Sequence, residues 1–226
     1  VTRLHGSHAW RVLQHSLGAL LAVPHAAFAV GLALLVMPSG LLSRGLAQVI
    51  GWDAPPDIAT VQDPAGLALI AGLVLKELPF LLWNVASLAH RVGQSGWIEG
   101  QMQLAQSMGY PARSVWWRVI WPQWLPQLAL PLLAVWAYGL TVVDMALVLG
   151  PTRPPTLAVL AWAWLLDADA ALNRQGTAAA LLLTGVMALG AALALAAWHG
   201  ALPVLRRRWV RGDRPAAGGR HGRTAA

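Results

Sequence analysis

Cysteine is missing altogether from these 226 residues, and Asp, Glu, Lys and Arg together make up only 11% of them. Without cysteine there is no disulfide, no thiol nucleophile and no cysteine metal site. With so little charge the chain cannot coat an ordinary water-soluble globule, and its 57% hydrophobic content is enough for several membrane crossings. Lysine occurs once, as Lys76, within an apolar run. There is no Gly-x-x-x-x-Gly-Lys-Ser/Thr phosphate cradle, so any ATP hydrolysis that drives this protein belongs to a partner chain. His-Glu-x-x-His and Gly-x-Ser-x-Gly are absent as well, and the N-terminal His5, His8 and His15 have no accompanying carboxylate. The chain therefore reads as a non-enzyme without a metal or cofactor of its own. No internal repeat stands out.

What is present is apolar length. Four stretches read as spans: Leu13–Met37, Ala65–Leu88, Gln123–Gly150 and Gly176–Val204. Each reaches the roughly 20 residues that a hydrocarbon core requires. Ser39–Pro64 reads as a loop, and Thr156–Leu166, with Trp162 and Trp164, reads as a helix too short to span that lies at the interface. The last span carries many alanines with Gly185 and Gly190, which suits close packing inside a bundle. These features predict an all-α integral membrane protein of about four transmembrane helices. A membrane domain would cover 1–205, and a basic, disordered tail 206–226.

The formal charge of +7 is concentrated beyond the last span, in Arg206, Arg207, Arg208, Arg211, Arg214, Arg220 and Arg223. The positive-inside rule reads this as topology rather than as a nucleic-acid footprint. Arg91, Arg113 and Arg118 mark the central loop as internal, while Arg44, Arg153 and Arg174 are outnumbered outside. Both termini and the central loop then share the cytoplasmic side. No cleavable signal peptide is expected, and Val1 in first position suggests an alternative start codon or a fragment.

Within the spans, polar residues are few. Placing Lys76 or Glu77 at mid-membrane costs about 2.5 to 3.5 kcal/mol, so each must face protein or water. Being adjacent on a helix they diverge, and each needs a partner on another helix. Pro24 should kink the first span, with His25 immediately after it as a packed, hydrogen-bonded side chain. Asp144, near the outer end of the third span, offers a distant partner for Lys76. The residues His25, Lys76, Glu77 and Asp144 either brace the bundle or line a translocation path.

The loop that organises the chain is Gln101–Pro122, QMQLAQSMGYPARSVWWRVIWP. Gly109 and Pro111 are the punctuation that closes one helix and opens another. Ala112–Ile120 then places Val115, Arg118 and Val119 along one side of a second short helix. This spacing resembles the EAA loop of binding-protein-dependent bacterial ABC importer permeases: Glu-Ala-Ala, three residues, Gly, nine residues, then Ile-x-Leu-Pro. Gln103, Leu104 and Ala105 stand at the first triplet, then Gly109, then Val119, Trp121 and Pro122. Gln103, Leu104 and Trp121 depart from the pattern, and Gln103 cannot make the ionic contact of the family's Glu. The stretches VPHAAFAVGLALLVMPSG, LALIAGLVLKELPFLL and VVDMALVLGPTRPPT are similar to one half of the large Ynj-type permeases, relatives of thiamine, sulfate and iron importers.

The resemblance implies a type I ABC importer permease of the bacterial inner membrane, carrying a small solute inward. Its partners would be cytoplasmic ATPase subunits that hold ATP and Mg, a periplasmic solute-binding protein, a second permease half or copy, and lipid. Family core domains have five or six spans, so a first core helix would be missing here and the chain would be a C-terminal half. Two other readings remain on the sequence: an ATP-independent carrier or channel using Lys76, Glu77 and Asp144, and a non-transporting membrane scaffold.

Overall fold

The computed structural model describes residues 16–51, 57–94 and 96–210, and among them there is no strand. The helices are α1 (described over 16–22), α2 (His25–Val36), α3 (Leu41–Ile50), α4 (Leu67–Gln94), α5 (Trp97–Ser107) and α6 (Ala112–Val115). A π-helical turn at Trp116–Ile120 leads into α7 (Trp121–Thr141), followed by α8 (Asp144–Leu149), α9 (Leu157–Leu165) and α10 (Ala170–Val210). The chain is an all-α integral membrane protein. It divides into two compact units, residues 1–187 and 188–226. The boundary expected at 205/206 falls inside α10, so 206–210 are helical. The rest of the predicted disordered tail, and the N-terminal lead-in 1–15, lie outside the described residues.

Among the described residues three stretches have the length and apolarity to cross a bilayer: His25–Ile50, Leu67–Val92 and Ala170–Gly200. The break after Met37 falls where the first span was expected to end, whereas the helix that follows it and the split of the third span were not predicted. Residues 25–50 are not one rod, because α2 ends at Met37 and the chain turns before α3 begins. The expected loop Ser39–Pro64 thus contains a ten-residue helix. The expected third span also divides. α7 stops at Thr141, Val142 is extended, and α8 starts at Asp144. With 21 residues α7 is about 31 Å long, but it is not among the three stretches apolar enough to cross, so the third of the four expected spans is not matched by one of them. α10 starts six residues earlier than predicted, and between 170 and 187 only Gly176 and Ala179 are buried. Within this unit it does not pack inside a bundle as its small residues suggested.

The first unit holds two apolar cores. One joins Ala29 and Ala33 of α2, Leu69 of α4, Val142, and Met145, Ala146 and Leu149 of α8. Small residues allow this close approach where lipid supplies no hydrophobic push. At Gly72 of α4 a methyl group would lie 2.6 Å from Leu149 Cδ1, so a side chain there would have to displace the Leu149 side chain from the core. The second core joins Leu88 and Ala89 at the end of α4 with Ile98, Val115, Ile120, Trp124 and Leu128. α4 runs between the two and carries both.

The start of α4 is fixed by buried Asp63, whose Oδ2 accepts from Leu67 N at 2.8 Å and whose Oδ1 accepts from Ala68 N at 3.0 Å. The Ala68 amide first, then that of Leu67, hold the Asp63 carboxyl below the ordinary carboxylate range. This cap contributes stability above the unfolded carboxylate pKa and loses it as pH falls through the lowered folded value.

Candidate functional site

Two regions concentrate the residues singled out by sequence. The first is the loop 101–122. α5 ends with Gly109 at φ +81°, a left-handed conformation that glycine adopts without strain. Around it Tyr110 N donates to Ala105 O at 3.0 Å and Gly109 N to Gln106 O at 2.9 Å. This pair of bonds is a Schellman closure, and Tyr110 and Ala105 pack on the same core as its apolar contact. Pro111 then caps α6. The elbow expected at Gly109 is present. A methyl group at Gly109 would meet nothing within 4 Å, so backbone conformation and not bulk requires glycine here.

The second half of the loop also differs from expectation. Ala112–Ile120 is one turn of α-helix followed by the wider π-helical turn, and Pro122 does not end it but sits in the first turn of α7. Pro122 has no N–H for the carbonyl four residues back, and a widened turn relieves the clash of its ring with the preceding backbone. Val115 and Ile120 are buried, and Arg118 and Val119 are half-buried. The elbow thus has its own packed underside, and its outer side exposes Gln103, Leu104 (61% exposed) and Met108 (58%). Ala105 turns toward the core, on which it packs together with Val119.

The second region surrounds the break between α1 and α2. Pro24 lacks the N–H that Leu20 O would otherwise accept, and the helix resumes only with Phe28 N donating to Pro24 O. The carbonyls of Leu20 and Val23 are left without helical partners. Lys76 of α4 supplies the donor, its Nζ bonding Val23 O at 2.6 Å and Leu20 O at 3.0 Å. Its ammonium also lies 5.9 Å from the Phe28 ring centroid, and the residue is only 4% exposed. A cation placed at the C-terminal end of a broken helix is favoured by the dipole as well as by the carbonyl oxygens.

Glu77 finds a different partner, as the divergence of adjacent helical residues requires. His25 Nε2 lies 3.3 Å from Glu77 Oε1. The imidazole ring stacks at a tilt on Tyr138, with centroids 4.6 Å apart, and the Tyr138 hydroxyl donates to Asp144 Oδ1 at 3.3 Å. Side chains from α2, α4, α7 and α8 thus form one polar chain: Glu77, His25, Tyr138, Asp144. The Lys76–Asp144 pairing expected from sequence is replaced by these contacts. Lys76 reaches the N-terminal backbone, and Asp144 opens α8, where a negative charge meets the positive end of the helix. Tyr138 and the two carbonyls are the functional groups that sequence reasoning missed. Tyr138, one of two tyrosines in the chain, was the one available signal.

Among the described residues no three His, Asp or Glu side chains gather in a way that could hold a metal ion.

No family model matches the chain. It is similar to the inner membrane ABC transporter permease protein YnjC of Escherichia coli strain K12, with 36% identity over 193 residues. The match takes in 84% of this chain and 35% of that protein, so the chain spans about a third of its relative's length.

Proposed function

We propose that this chain is a membrane-spanning permease segment of an ABC importer in the bacterial inner membrane. The observation that carries the reading is the elbow at Gly109. Its spacing matches the coupling loops of that class, its backbone is locked by a Schellman closure, and its exposed rim rests on a packed core. A rigid knob transmits displacement, which a solvated loop does not. The 36% identity to a permease supports the same assignment.

In this reading Gln103, Leu104 and Met108 seat in a groove of a cytoplasmic ATPase that holds ATP and Mg. Closure of the ATPase dimer pushes on α5 and, through Val115 and Ile120, on the inner ends of α4 and α7. α4 carries Lys76 and Glu77, so that push reaches the polar chain in the membrane. A small solute delivered by a periplasmic binding protein passes beside His25, Glu77, Tyr138 and Asp144, and a second permease half or copy closes the other wall. Both termini face the cytoplasm together with the elbow.

Because cysteine is absent, one introduced at Leu104 or Met108 is unique in the chain. In vesicles holding the whole transporter, L104C and M108C are expected to cross-link to the ATPase in a nucleotide-dependent way. Failure to cross-link in correctly inserted protein overturns the coupling role. The continuous polar chain across four helices favours one second reading, an ATP-independent carrier, which predicts solute uptake with the ATPase removed.

A further inference from the structure

We propose that α3 lies along the surface of the bilayer, with Leu41, Leu42, Leu46, Val49 and Ile50 immersed at the boundary between headgroups and acyl chains. None of its ten residues is buried in the chain, and Val49 is 87% exposed. At 100° per residue these five side chains share one half of the helix, and Ser43, Arg44, Ala47 and Gln48 occupy the other. Ser43 and Ala47, one turn apart, are the half-buried positions, so the apolar half turns away from the protein.

The location of α3 follows from how α2 ends. Thr60 Oγ1 donates to Val36 O at 2.6 Å, Gly40 N to Met37 O at 2.7 Å and Arg44 Nε to Ser39 O at 2.8 Å, with Ser43 Oγ also bonding Met37 O. These bonds satisfy the carbonyls of Val36, Met37 and Ser39, so the helix stops there and does not continue into α3. Ser39 and Arg44 at this turn are exposed polar side chains, which belong at the edge of the hydrocarbon region. α3 begins at that edge and at about 15 Å is too short to cross. Val30, Leu34 and Leu35 of α2 are exposed as well, so apolar surface is offered on both sides of the turn. A short helix with a wide apolar face that follows a spanning helix is an interfacial helix. Its polar half carries one cation, Arg44, already engaged with Ser39, so the attachment depends on apolar burial and not on anionic lipid.

The test uses single cysteines, each unique in the full chain, carrying an environment-sensitive fluorophore in phosphatidylcholine vesicles. L42C and V49C report the apolar half and Q48C the polar half. Nitroxide lipids labelled near the headgroup are expected to quench positions 42 and 49 more than lipids labelled at the chain end. Aqueous iodide is expected to quench position 48 about threefold more than either. Strongest quenching of 42 and 49 by the chain-end nitroxide would overturn the proposal in favour of one continuous span over 25–50. Equal iodide quenching at all three positions would overturn it in favour of a solvated helix. Protection from both quenchers would overturn it in favour of a covering protein partner. Should V49C fail to insert, L42C reads the same face, and retained helical circular dichroism certifies each variant.

Discussion

The elbow at Gly109 and the break at Pro24 interrupt the backbone in opposite ways. At Gly109 the freed groups find each other within six residues, through Tyr110 N to Ala105 O and Gly109 N to Gln106 O. At Pro24 the freed carbonyls of Leu20 and Val23 find a side chain on another helix, 56 and 53 residues away. An interruption in a polar loop is closed locally by a residue free to take a positive φ, with water available for whatever is left over. An interruption inside an apolar run has no water to draw on and must borrow a donor from elsewhere in the fold. The first kind of break sets an angle between neighbouring helices. The second ties α1 and α2 to α4, and places His25 beside Glu77.

If that contrast is right, removing the borrowed donor should do the most harm. Lys76→Met leaves two carbonyls without a donor and is expected to lower stability by about 2 kcal/mol, with Lys76→Arg recovering part of it. Unfolding in mild detergent micelles measures both, and a methionine variant as stable as the parent would show that the carbonyls are satisfied without Lys76. At the elbow the expected effect is smaller. Gly109→Ala should cost about 1 kcal/mol because alanine resists the left-handed conformation, and Gly109→Asn less, since asparagine visits it more readily. Equal losses for the two would point to bulk rather than backbone. The finest test is a double-mutant cycle. Pro24→Ala restores the N–H that Leu20 O lacks, so Lys76→Met in that background should cost roughly 1 kcal/mol less than alone. Strict additivity would mean that the proline and the lysine do not act together.

Much of the elbow was legible because its signals are local. Gly109 followed by Pro111 marks a helix end and a new start whatever the rest of the chain does. The divergence of Lys76 and Glu77 was legible for the same reason, since it follows from helical geometry alone. Their partners were not, because Leu20, Val23 and His25 are brought to α4 only when α1, α2, α7 and α8 pack around it. The split of the third span carried no warning either. Val142 and Val143 are ordinary apolar residues in an apolar run, and Asp144 read as a charge near a helix end instead of the first residue of a new helix. α3 was hidden by its neighbours, since Pro38, Gly40 and the Trp52–Pro56 stretch give Ser39–Pro64 the texture of a loop.

By itself the order of residues determined that this chain lives in a membrane, that it is helical and that it bends at Gly109. Apolar length and backbone preference are properties of short segments and survive without a fold. Tertiary structure alone decided where the buried lysine points, which acid meets which base, and which apolar helix runs on and which breaks. Each of these depends on satisfying a polar group out of reach of water, and the group that does so is chosen by which helices stand next to one another.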